Sequence, residues 1–239
     1  MTRTATDGRR WAALGTGLVR AALAGIGTGE AGFEAPSALP GWTRKHLLAH
    51  VAANADALRN LATWARTGVE TPMYASAGQR NADIEAGAVR PAADLLAWFD
   101  GSAAGLESDW AALTDEQWDA PVVTAQGRTV AASETPWLRA REAMVHAVDF
   151  DSGVGFADLP PDFCAALVAD IVGKRSAGGN PALVIAPTDH PEQWQVAGEG
   201  EPVAVSGPLA ELTAWLAGRS HQGLTTAGGG ALPPLPTWL

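Results

Sequence analysis

Two stretches of this chain, 43–66 and 136–150, repeat apolar residues at the 3.6-residue period of an α-helix and carry titratable groups on the flank. In the first, Leu47, Leu48, Val51, Ala55, Leu58, Leu61 and Ala62 form a buried stripe, with His46 and His50 four residues apart. In the second, Trp137, Met144, Val145 and Val148 make the apolar face, and Glu142, His146 and Asp149 form a polar strip next to Leu138. Groups four residues apart lie about 40° from each other around a helix axis, so each pair shares a face. Two helices that present such faces to one another can build a three-ligand metal site with one position open. That is the arrangement of a catalytic metal rather than a structural one.

The rest of the chain supplies the partners such helices need. Residues 4–26 carry Trp11, Leu14, Leu18, Val19, Ala22 and Leu23 at helical spacing. Thr43 is the expected N-cap of the 43–66 helix, closed by Thr67-Gly68. A shorter helix is expected over 75–87, and another from Pro91 to about Leu113. Residues 118–132 read as a polar linker with a small hairpin, and Thr135-Pro136 as an N-cap followed by proline at the first helical position. Four long amphipathic helices and a short one predict an antiparallel bundle whose core holds ligands from facing helices. After Asp151-Ser152-Gly153 the pattern changes. A helix over 160–175 is followed by short strands at 183–185, 194–196 and 203–206, then a helix from Leu209 to Ala217 and an irregular tail. The boundary is placed near 155, and no internal repeat is present.

Composition narrows the function classes. The 239 residues carry a formal net charge of −10, which argues against nucleic acid and anionic membrane surfaces as partners. An anionic substrate would need locally placed arginines. The single cysteine, Cys164, permits no intrachain disulfide. The opening residues MTRTATDGRRWAALG lack a signal-peptide pattern, and no apolar stretch is long enough to span a membrane. A soluble, cytoplasmic protein is expected.

Periodicity separates the two histidines of the first helix. At about 100° per residue, His50 falls on the edge of the apolar stripe beside Asn54, and His46 one step nearer solvent. His50, Glu142 and His146 would then offer two imidazoles and a carboxylate, a set that suits zinc and ferrous iron. Spacing alone leaves the alternatives open, since a polar strip also arises as a solvated face and a flanking histidine as a hydrogen-bonded core residue. Asp149 reads equally as a partner orienting an imidazole and as an exposed carboxylate. Trp64, Trp98 and Trp110 fit buried helix faces, while Trp42 is placed to wall the site.

Longer fragments carry a resemblance. They are Gly41-Trp42-Thr43, His46-Leu47-Leu48-Ala49-His50-Val51-Ala52, Glu70-Thr71-Pro72-Met73-Tyr74, Gln79-Arg80-Asn81 and Thr124-Ala125-Gln126-Gly127-Arg128-Thr129-Val130. Ala132-Ser133-Glu134-Thr135, Arg141-Glu142-Ala143-Met144-Val145-His146-Ala147-Val148-Asp149, Val205-Ser206-Gly207, Ala217-Gly218-Arg219 and Trp238-Leu239 continue it. In this order they resemble the mycothiol-dependent maleylpyruvate isomerase family over essentially the whole chain. The resemblance implies a mainly α protein with a smaller α/β domain: a DinB-like four-helix metal-binding domain over 1–155 and a sterol-carrier-like α/β domain over 156–239. It implies zinc held by His50, Glu142 and His146, with mycothiol as thiol cofactor. It implies Arg219 as a catalytic residue and Arg80 as a carboxylate-binding one. Without the resemblance, Arg219 reads as a helix-end residue complementing the macrodipole.

The activity so implied is cis–trans isomerisation of maleylpyruvate, a small dianion, to fumarylpyruvate in gentisate degradation, by reversible addition of a zinc-bound mycothiol thiolate. Because mycothiol supplies the nucleophile, Cys164 is read as structural, among Leu, Val and Ala neighbours. A mycothiol S-transferase would share the zinc site and differ in its substrate pocket. A non-enzymatic zinc-stabilised regulatory module would need a closed metal, against which three matched ligands argue. Ser220-His221 departs from the family pattern, and His221 is either a surface residue or a local addition to the pocket. His190 reads as part of a turn.

Overall fold

The computed structural model describes residues 3–27, 29–178, 180–236 and 238, with the backbone alone at Ala77. Met1, Thr2 and Leu239, quoted above, lie outside the described residues. The chain divides into two compact units, one from Arg3 to Val154 and one beginning at Gly155. The first is helical and the second contains a sheet, which is the expected class.

In the first unit α1 (Ala5–Ile26), α3 (Arg44–Thr67), α5 (Ala92–Ala111) and α7 (Thr135–Asp149) are the long helices. Shorter ones are α2 (Glu30–Glu34), α4 (Ala77–Ala88) and α6 (Asp115–Trp118). The linker forms the hairpin of β1 (Pro121–Val123) and β2 (Thr129–Ala131). α1 packs on α7, and α3 packs on α5, α4 and α7. The shared core gathers Val19, Phe33, Leu47, Leu48, Val51, Leu95, Phe99 and Phe150.

α3 begins at a capping box. The Thr43 hydroxyl accepts from the His46 N–H at 3.4 Å, and His46 Nδ1 accepts from the Thr43 N–H at 3.3 Å. It ends at Gly68, whose φ of 70° is left-handed and suits glycine. Thr135 is not the cap of α7, as expected, but its first residue. A 3-10 turn, Ala132–Glu134, precedes it, and the Thr135 hydroxyl donates to Ala132 O at 2.7 Å while accepting from Trp110 Nε1 at 3.0 Å. The hydroxyl is engaged by those two groups, and the cap position falls on Glu134 instead.

In the second unit α8 (Pro161–Arg175) and α9 (Leu209–Leu216) accompany a four-stranded sheet in the order β4-β3-β5-β6. The strands are β3 (Pro181–Pro187), β4 (Trp194–Val196), β5 (Glu199–Gly207) and β6 (Thr225–Thr226). β5 is parallel to β3, and the outer two strands are antiparallel. The last strand falls where no strand was expected, because two residues give no periodicity to read. Cys164 is buried, and burial pushes its thiol up to about 12. Among the described residues no helix is long and apolar enough to cross a membrane.

Candidate metal centre

Packing on one side of α7 decides what the other side presents. Gly8 and Gly15 of α1 let the two helices meet closely: a Cβ on Gly15 would lie 2.9 Å from the Cβ of Ala143, and one on Gly8 3.1 Å from Trp137 N. Ala143 and Ala147 therefore face α1, while Arg139, Glu142 and His146, spaced three and four apart, lie about 100° around the axis and face α3. α3 runs antiparallel to α7, and its first residue ties the ends together. Arg44 donates from Nε to Phe150 O at 2.7 Å and from Nη2 to Asp151 O at 2.6 Å, satisfying carbonyls at the end of α7.

This brings His50 opposite Glu142 and His146. His50 Nε2 lies 2.9 Å from Glu142 Oε2 and 3.2 Å from His146 Nε2, and His146 Nε2 is 3.3 Å from the same carboxylate oxygen. The two imidazole rings meet edge to face at 4.9 Å. One ligand atom from each residue lies within 4.8 Å of the others. His50 is buried, and Glu142 and His146 are partly buried. Trp42 stands 5.5 Å from the His50 ring and walls the group. Two nitrogens and a carboxylate oxygen converging on one point fit a divalent metal with room for a further ligand.

The surroundings reinforce that fit. Asp149 is fully buried, and its Oδ2 accepts from His146 Nδ1 at 2.8 Å, which turns Nε2 toward the cluster, with a free lone pair only in the neutral ring. The strip Glu142–His146–Asp149 is therefore an interior one rather than a solvated face. Burial disfavours a charge on His146, but hydrogen bonds to Asp149 and Glu142 outweigh it and raise the imidazolium to about 9. Burial alone would raise Glu142, yet hydrogen bonds from both histidines hold its carboxyl well below the usual range. His50 is lowered, chiefly by burial.

Arg80, on α4, lies with Nη2 3.3 Å from His50 Nδ1. A guanidinium can only donate, so in this contact Nδ1 accepts and the ring proton sits on Nε2, toward Glu142. His46 is instead the third residue of the capping box, with Nε2 3.5 Å from Glu85 Oε2, outside the cluster. Arg219 follows α9 in the second unit, its Nη1 donating to Ala217 O at 2.6 Å, a bond that a helix-end arginine makes without any catalytic role. His221 Nδ1 is 3.1 Å from Arg219 O, and His190 stacks on Trp194 at 5.7 Å. Trp110 is buried as expected, whereas Trp64 and Trp98 are half-buried.

Two residues at the centre carry no periodic signal. Arg139 is fully buried, donating from Nη1 to Val51 O at 2.7 Å and Asn54 Oδ1 at 3.0 Å, and burial lowers it to about 10. The Glu142 carboxylate is the leading charge that offsets this burial. Tyr74 comes from the loop before α4, which Asn60 Nδ2 holds by donating to Pro72 O and Met73 O at 3.2 and 3.3 Å. Arg80 hydrogen-bonds the phenol, and burial raises its pKa.

Residues 12–151 match the family model for the mycothiol maleylpyruvate isomerase N-terminal domain, and residues 158–237 match that for the C-terminal domain of the same enzymes. Two solved structures, a mycothiol-dependent maleylpyruvate isomerase and a histidine-to-alanine mutant of one, are each 38% identical to this chain. Both alignments cover 100% of each chain, with TM-scores of 0.91 and 0.92. Among curated proteins none matches. Family models covering both units and full-length identity at this level mean that the chain belongs to the mycothiol-dependent maleylpyruvate isomerase family.

Proposed function

We propose that this chain is a zinc- and mycothiol-dependent cis–trans isomerase that converts maleylpyruvate to fumarylpyruvate in the cytoplasm, within gentisate degradation. The observation that carries the proposal is the convergence of His50, Glu142 and His146, in a chain alignable end to end with solved isomerases. Residues 1–155 would form the metal-binding domain and 156–239 the second domain.

Isomerisation needs rotation about a carbon–carbon double bond, which is free only while a nucleophile is added across it. Bound zinc supplies a Lewis acid that lowers the pKa of a thiol, otherwise near 8.5, so that mycothiol sulfur is a thiolate at neutral pH. His50 and His146 would hold that metal through Nε2 and Glu142 through its carboxylate, while Asp149 fixes the His146 ring. Ligation through His50 Nε2 would put the ring proton on Nδ1, the nitrogen that faces Arg80. Arg80, beside His50, would be placed to bind a substrate carboxylate. Arg219 is assigned to charge that develops on the dianionic substrate. Cys164, buried and neutral, is not a nucleophile here.

The test is an absorbance assay of maleylpyruvate loss with and without mycothiol, on zinc-loaded and chelator-stripped protein. Turnover should require both. Activity without thiol sinks the mechanism, activity without metal sinks the site, and stoichiometric consumption of mycothiol identifies an S-transferase.

A further inference from the structure

A cavity of about 250 Å³ opens beside the metal centre within the helical unit, and none of the three candidate ligands lines it. Its α3 wall begins one turn beyond His50. Ala53 and Ala57, on the His50 face of that helix, line it about 4.5 and 10 Å further along at 1.5 Å per residue. Tyr74 lines the cavity and is hydrogen-bonded by the same Arg80 that reaches His50. Asp83 lines it from α4, nearly one turn beyond Arg80. A molecule anchored at the centre by one end can therefore extend its other end into this cavity.

The walls say what that end is. Asp56 and Asp83 line it with Arg90, and Arg59 Nη1 lies 3.6 Å from Asp56 Oδ1, so the charges balance and the cavity has no excess of positive charge to draw a dianion. Asp56 Oδ2 accepts from Trp98 Nε1 at 2.7 Å and Asp83 Oδ1 from Gln79 Nε2 at 2.7 Å, which orients both groups and leaves each with free lone pairs. Carboxylates with free lone pairs accept from hydroxyls, and the indole and alanine surfaces suit the C–H face of a saturated ring. The volume falls below the roughly 300–1,000 Å³ of pockets that engulf a whole drug-sized ligand, so it suits one ring of a larger one.

We infer that this cavity binds the neutral, polyhydroxylated arm of the thiol cofactor, the sugar–cyclitol end of mycothiol. The inference rests on the mycothiol dependence proposed above. It is tested on the zinc-loaded full-length protein by calorimetric titration with N-acetylglucosaminyl-inositol, the arm without its thiol. The wild type should bind it. Asp83→Ala and Ala86→Phe should each weaken binding about tenfold or more and raise the KM for mycothiol by a similar factor. Ala86 is exposed, and among the described residues Asp83 accepts only from Gln79, so melting temperature and zinc content should not move. Equal binding by wild type and both variants, or no binding by the wild type, overturns the assignment. Arm binding lost in the variants without any mycothiol-dependent turnover in the wild type leaves the cavity standing and removes the isomerase. Mycothiol-dependent turnover with no binding of the arm removes the cavity alone.

Discussion

His146 lies between the carboxylates of Glu142 and Asp149, and at the proposed metal site its charge state would govern loading. With a pKa raised to about 9, it is protonated at pH 7.5, while His50 is lowered and Glu142 is ionised. Zinc bound at the proposed site would have to displace that proton. Zinc binding at pH 7.5 should therefore release close to one proton, read by calorimetry in buffers of different ionisation enthalpy, and affinity should rise toward pH 9. The sign for stability is opposite. A raised folded pKa stabilises the metal-free protein fully below about 6.5, and that contribution is lost as pH rises through about 9. Asp149→Asn keeps an acceptor for Nδ1–H but removes its charge. Zinc affinity should fall about 10- to 100-fold, with fewer protons released. An unchanged proton count would show that Asp149 does not set the His146 charge.

At the scale of elements, the centre depends on how closely α1 approaches α7. Gly15→Val puts a branched side chain where a Cβ already meets Ala143 and Met144 at 2.9 and 3.2 Å. Overpacking of this kind costs about 1–3 kcal/mol. The melting temperature should drop by several degrees, and zinc affinity should fall with it because α7 carries two ligands. A fall in melting temperature without loss of affinity would show that α7 shifts without rotating. The helices themselves were legible, because Thr43, Gly68 and Pro91 act on the chain within one turn. Thr135 was misjudged because its hydroxyl bonds Trp110 and Ala132, one of them remote in sequence. The same limit hid Arg139, whose partners Val51 and Asn54 sit on another helix.

At the scale of the molecule, Arg219 belongs to the second unit and the proposed metal ligands to the first. Arg219→Ala should abolish isomerisation while zinc content stays that of the wild type, measured by metal analysis beside the absorbance assay. Retained activity would reduce Arg219 to the helix-end role that its bond to Ala217 already satisfies. The sequence by itself determined the helical and sheet-containing parts, the choice of His50 over His46, and which groups share a face, since each follows from periodicity along one element. Only the tertiary structure decided that Asp149 is interior, that Arg80 and Tyr74 reach the centre, and that a cavity lies beside it. Those facts depend on which faces of separate helices meet, and close packing between elements, not spacing within them, sets that.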